Sequence, residues 1–96
     1  MKISFVYIIE CTDNSFYVGV TNDIFRRFSE HENGIDTKSY TFNRRPLKLV
    51  FYTSFTDLNI AIEREKQIKK WSKNKKKALI NGEFSQLPNL SKKNFN

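Results

Sequence analysis

Apolar residues fill both alternating sets of Ile3-Ser4-Phe5-Val6-Tyr7-Ile8-Ile9, the pattern of a strand covered on both faces. Thr12-Asp13-Asn14-Ser15 is turn chemistry, and Phe16-Tyr17-Val18-Gly19-Val20 returns as a second strand, giving an antiparallel hairpin. Thr21-Asn22-Asp23 offers cap side chains for a helix from about Asp23 to Asn33, which Gly34 closes as a left-handed residue. Residues 35–46 are polar, end in Arg44-Arg45-Pro46 and read as a loop. Leu47 to Ser54 forms a third strand. A helix then opens near Thr56-Asp57 and runs to about Trp71, and Ser72 caps a further short basic helix that ends before Gly82. Ser85 to Asn96 has no periodicity and reads as a loosely packed tail. The order β-β-α-β-α-α predicts an α+β fold, a three-stranded antiparallel sheet flanked by helices, over residues 1–82, with a tail over 83–96.

Ninety-six residues leave room for one domain with a modest core. The apolar content of 39% supports one layer of helices on one small sheet and argues against general disorder. Cys11 is the only cysteine, which excludes an internal disulfide framework and a zinc site of several thiolates. The longest unbroken apolar stretch, Phe5 to Ile9, is far below the ~20 residues of a membrane helix. These features together predict a soluble, cytoplasmic protein with no membrane association.

The charge is concentrated. Residues 1–63 hold seven bases and eight acids, whereas residues 64–77 hold eight bases and only Glu65. That segment carries the whole imbalance of a chain with net charge +7. A basic run beside an exposed Trp71 suits a polyanion, because each neutralised phosphate releases condensed counterions. The alternative is a lysine-rich helix face that only serves solubility.

Helical geometry singles out further residues. At 100° per residue, Leu58, Ala61, Ile62 and Ile68 share one side of the second helix, and Glu65 falls among them. A buried carboxylate must be paired or bind a cation, so Glu65 either forms an ion pair with a base or holds a metal. On the first helix Ile24 and Phe28 mark the apolar stripe, with Arg27 and His31 flanking it as an i, i+4 pair. An arginine aimed at the sheet suits phosphate recognition. The structural alternative pairs Arg27 with Glu65 and leaves His31 to cap the helix end. Tyr7 and Tyr17 lie on the two hairpin strands. A three-residue loop, Asp13 to Ser15, puts them on one face, and a two-residue loop separates them.

Taken together these residues resemble the GIY-YIG nuclease family, and most resemble its small single-domain bacterial members. Val6-Tyr7-Ile8 stands at the first signature and Tyr17-Val18-Gly19 at the second. Arg27 eight residues after Gly19, His31 one turn later, and Ala61 followed by Glu65 and a lysine-rich continuation complete the pattern, over about residues 3–81. Three positions depart from it. Val6 replaces a glycine, Val20 stands where some members have lysine, and Asn74 is poorly spaced for a late asparagine.

The resemblance implies a phosphodiesterase using one divalent ion, Mg²⁺ or Mn²⁺, ligated by Glu65 and acting as a Lewis acid. Tyr7 would be the general base or would orient water, with Tyr17 assisting. Arg27 would neutralise charge building on the phosphate, and His31 would relay a proton or position Tyr7. Gly19 would allow close approach of the strand to the first helix. Arg44, Arg45, Lys69, Lys70, Trp71 and Lys73 are the candidate contacts to nucleic acid, DNA in preference to RNA. No small-molecule cofactor is implied. The competing classes are a non-catalytic nucleic-acid-binding module of the same fold and a scaffold whose basic face meets an acidic partner.

Overall fold

The computed structural model describes residues 2–82; the tail expected over 83–96 lies outside the described residues. The elements follow the expected order. They are β1 (Ser4–Glu10), β2 (Phe16–Thr21), α1 (Ile24–Glu32), a 3₁₀ turn (Phe42–Arg44), β3 (Lys48–Phe55), α2 (Leu58–Lys69) and α3 (Lys73–Ile80). The sheet is antiparallel in the order β2-β1-β3. The strand with apolar residues in both alternating sets is therefore central, and Val6, Tyr7, Ile8 and Ile9 are all buried.

Helices flank the sheet and cover both of its faces, as the doubly apolar first strand predicts. Val6, Ile8 and Val18 pack with Ala61 and Ile68 of α2, and Trp71, Leu79 and Ile80 close over them. Tyr7, Ile9 and Cys11 pack on the opposite face with Ile24 of α1 and Leu47, joined by Phe28 and Leu49. Two covered faces are what a central strand apolar on both sides demands. Leu58, placed on the buried stripe of α2 by periodicity, is instead 55% exposed. It occupies the first helical position, beyond the end of the core.

Local chemistry sets the element ends. The Asp23 carboxylate accepts from the Arg26 N–H at the start of α1, and Asp57 accepts from the Asn59 and Ile60 N–H groups at the start of α2. Ser72 accepts from the Lys75 N–H and starts α3. Gly34 closes α1 with φ +65°. Its N–H donates to the His31 carbonyl and the Ile35 N–H donates to the Glu30 carbonyl, the pair of bonds that ends a helix through a left-handed residue.

The hairpin register settles the tyrosines. Tyr7 stands opposite Gly19 and Ile9 opposite Tyr17, leaving a five-residue connection, Cys11 to Ser15, longer than either loop considered from sequence. The Ser15 N–H donates to Asp13, and the Cys11 N–H donates to the Ser15 carbonyl, so the turn closes on itself. Tyr7 and Tyr17 consequently share the face that α1 covers.

Candidate active site

Tyr7 is 1% exposed, and its hydroxyl lies 3.0 Å from His31 Nε2. The Tyr7 and Tyr17 rings are 6.2 Å apart between centroids, and Tyr17 meets the His31 ring edge-on at 5.1 Å. His31 can reach this face because α1 is short and closes at Gly34, which leaves the imidazole in the last turn directly above the two strands. His31 therefore does not cap the helix. Its other nitrogen, Nδ1, lies 2.8 Å from Thr41 Oγ1 in the following loop.

Burial, followed by the charge of Tyr17, pushes the Tyr7 phenol up to about 12, and Arg27 beside the hydroxyl opposes that rise. Burial would lower the Arg27 guanidinium, but interactions with Tyr7 and Glu30 outweigh it and leave the group firmly charged. Arg27 donates to Glu30 on its own helix at 3.1 Å, not to Glu65. Arg26, by contrast, is 60% exposed and points to solvent beside Glu30.

Burial, and then the positive charge of Arg27, holds the His31 imidazole below its ordinary 6.5. The unfolded chain therefore takes up this proton first as pH falls, and the stability contributed by the neutral ring is lost below about 6.5. Urea unfolding midpoints on either side of that value should differ in wild type. The difference should shrink in His31→Gln.

Gly19 is required for a different reason from the one expected. A Cβ built on it would lie 2.5 Å from the Tyr7 hydroxyl oxygen and 2.6 Å from the adjacent ring carbon. The missing side chain makes room for the phenol of the neighbouring strand, where close approach to α1 had been expected.

Glu65 is buried in the middle of α2, as periodicity placed it. Its partner is Lys69 one turn on, with Nζ 2.7 Å from Oε2. The hydrogen bond to Glu65 raises the Lys69 ammonium, and Tyr17 adds to the rise through its charge. The structure thus joins Tyr7, Tyr17, Arg27 and His31 directly, whereas Glu65 is tied to them only through Lys69 and Tyr17. Tyr17 lies on β2, an edge strand, where groups from the two faces come within electrostatic reach of each other.

Among the described residues no three His, Cys, Asp or Glu side chains gather to cage a metal. A single carboxylate with a side chain 11% exposed does fit a hard divalent ion that takes most of its ligands from water and substrate phosphate. Lys69 neutralises that carboxylate where no cation does.

The remaining candidates divide. Lys70 and Lys73 are exposed at the junction of α2 and α3. Trp71 is half-buried against the core, not exposed, and the Lys75 ammonium lies 5.4 Å from its ring centre. Arg44 is bound to Asp13 at 3.1 Å and to the Tyr40 carbonyl at 2.7 Å, with its guanidinium over the Tyr40 ring. Arg45 donates to the Phe42 carbonyl at 2.9 Å. Both arginines pin the loop after α1. Thr41 at 0% exposure, Ser39 and Tyr40 join the site from that loop. Sequence reasoning missed them because a polar loop without periodicity gives no signal of burial.

The sheet presents a buried tyrosine–histidine pair and an arginine on one face, and the sequence matches the GIY-YIG catalytic domain over residues 3–78. The chain belongs to this family, whose members are in general divalent-metal-dependent nucleases acting on nucleic acid. A UPF0213 protein of Syntrophus aciditrophicus is 42% identical over 80 residues, covering 83% of this chain and 92% of the relative. One from Clostridium perfringens is 39% identical over 90 residues, covering 94% and 96%. The solution structure of a UPF0213 protein from Bacillus halodurans aligns with a TM-score of 0.54 at 37% identity, over 82% of this chain and 83% of that one. That of a protein from E. faecalis aligns with a TM-score of 0.60 at 29% identity, over 85% and 86%. No helix among the described residues is long and apolar enough to cross a membrane.

Proposed function

We propose that this chain is a divalent-metal-dependent endonuclease that hydrolyses DNA phosphodiester bonds, acting on branched or damaged structures in repair or recombination, with residues 1–82 as the active unit. The observation that carries the reading is the buried 3.0 Å Tyr7–His31 hydrogen bond with Arg27 beside the same hydroxyl. A binding module has no use for a phenol buried against an imidazole and a guanidinium, since binding needs charges that face outward.

In this reading Tyr7 takes the proton of the attacking water as general base. A phenol held near 12 is a poor base at neutral pH. The fixed charge of Arg27 is what favours its ionised form. Tyr17 packs against both rings and keeps them in place. Arg27 then neutralises charge that builds on the non-bridging oxygens, exchanging Glu30 for phosphate. Glu65 would hold Mg²⁺ or Mn²⁺, which when bound supplies Lewis-acid stabilisation of the phosphate and the leaving oxygen. Lys70, Lys73 and the rest of the basic segment bind the phosphate backbone, with Lys69 joining them once displaced from Glu65.

The test is a nicking assay on supercoiled plasmid and a cleavage assay on branched DNA, each with Mg²⁺, with Mn²⁺ and with chelator. Wild type should cut only with metal. One observation favours a second reading, the non-catalytic binder: Lys69 already neutralises Glu65 at 2.7 Å. Tight, chelator-insensitive DNA binding with no cleavage on either substrate would decide for it.

A further inference from the structure

Tyr7 is almost fully buried, so a proton leaving its hydroxyl needs a route to water. The side chains around it supply one. Tyr7 Oη meets His31 Nε2 at 3.0 Å, His31 Nδ1 meets Thr41 Oγ1 at 2.8 Å, and Thr41 Oγ1 meets Ser39 Oγ at 3.1 Å. Thr41 is 0% and His31 4% exposed, whereas Ser39 is half-buried. Ser39 lines a cleft of about 230 Å³ together with Arg27, Glu30, His31, Asp36 and Thr41. The chain of hydrogen bonds therefore begins in the core and ends at solvent.

We propose that Thr41 and Ser39 extend the Tyr7–His31 pair into a proton relay that carries the phenolic proton of Tyr7 to water in this cleft. The inference rests on the reading of Tyr7 as general base. Ser39 Oγ accepts the Thr41 backbone N–H at 3.4 Å and can accept the Thr41 hydroxyl as well, which leaves its own hydrogen for the cleft. All donors then point outward: Tyr7 O–H to Nε2, Nδ1–H to Thr41, Thr41 O–H to Ser39, and Ser39 O–H to water.

The transfer balances along that line. The Tyr7 O–H bond breaks and an Nε2–H bond forms, while Nδ1–H breaks and its proton goes to Thr41. Thr41 passes its former proton to Ser39, and Ser39 passes its own to water. One proton has left the core, and the phenolate faces Arg27. The imidazole stays neutral and changes only its tautomer. The ionisable groups facing it are Arg27 and Glu30 of α1, Tyr7 and Tyr17 of the sheet, and Asp36 of the loop.

Thr41 is thus a positioning residue, and nitrogen NMR of the His31 ring reads its effect without any catalysis. Wild type should show the Nδ1–H tautomer. In Thr41→Val the acceptor for Nδ1–H is gone, so the Nε2–H form should take over, and Thr41→Ser should restore the wild-type spectrum. Hydrogen exchange of the Tyr7 hydroxyl, read from the isotope shift of its ring carbon, should slow about tenfold in Thr41→Val. Cleavage should fall by about tenfold or more, with its pH profile altered, while Thr41→Ser stays near wild type. An Nε2–H tautomer in wild type would overturn the relay, whether or not any variant folds. So would wild-type hydroxyl exchange in a folded Thr41→Val protein. If no substrate is ever cut, the nuclease reading fails while tautomer and exchange still decide the relay. If Thr41→Val cuts with an unchanged pH profile, the relay fails and the nuclease reading stands.

Discussion

Glu65→Ala should abolish metal-dependent cleavage, by about a thousandfold or more. A Lewis acid contributes several kcal/mol to phosphoryl transfer, and roughly each 1.4 kcal/mol is tenfold in rate. DNA affinity should stay equal or rise, because the change removes a negative charge and frees Lys69 for phosphate. Folding should survive. The group left behind is Lys69, 51% exposed, which can turn into water; a buried arginine stranded in the core would be far more destabilising. Melting curves with and without Mn²⁺ complete the test, since an ion that binds only the folded state raises the melting temperature. That rise should be present in wild type and absent in Glu65→Ala. A folded Glu65→Ala protein with full activity would refute the metal-ligand role.

Gly19→Ala is the second large effect. The added methyl would sit 2.5 Å from the Tyr7 oxygen, so the phenol must move, and the wall behind it is the packed core. Overpacking of this kind costs about 1–3 kcal/mol of stability. The displaced hydroxyl loses its alignment on His31, and a misplacement near 1 Å lowers a rate by about a hundredfold. The double variant identifies the cause. In a Tyr7→Ala background the whole clashing ring is gone, so Gly19→Ala should destabilise less and lower cleavage little further. Additive losses in the double variant would mean that Gly19 acts elsewhere, for instance on the backbone of β2.

The candidate residues were legible to different degrees for physical reasons. Glu65 stood out because a carboxylate interrupts an apolar stripe, and that argument is local to one helix. Arg27 and His31 were placed on the correct face by the same periodicity. Their partners were not. Arg27 binds Glu30 and Glu65 binds Lys69, three and four residues away, whereas sequence offered a direct Arg27–Glu65 pair. Trp71 and Leu58 exchanged the exposures expected of them, because burial at the end of a helix depends on where the next helix lies. The basic segment was visible as a charge run, yet Arg44 and Arg45 turned out to hold a loop, which a count of charges does not distinguish from an open phosphate site.

The sequence by itself determined the elements, their order, their caps and the covered central strand. Each of these rests on periodicities and turn chemistry within a few residues of chain. Only the tertiary structure decided what meets Tyr7. The hairpin register, set by a five-residue connection, puts Gly19 rather than a bulkier residue opposite the phenol. The packing of α1 aims His31 at its oxygen, and the loop after α1 folds back to bring Thr41 to the other side of the ring. These contacts join residues 10 to 24 positions apart in sequence. They form only when burial of the whole sheet repays the entropy of closing those loops, so no local pattern announces them.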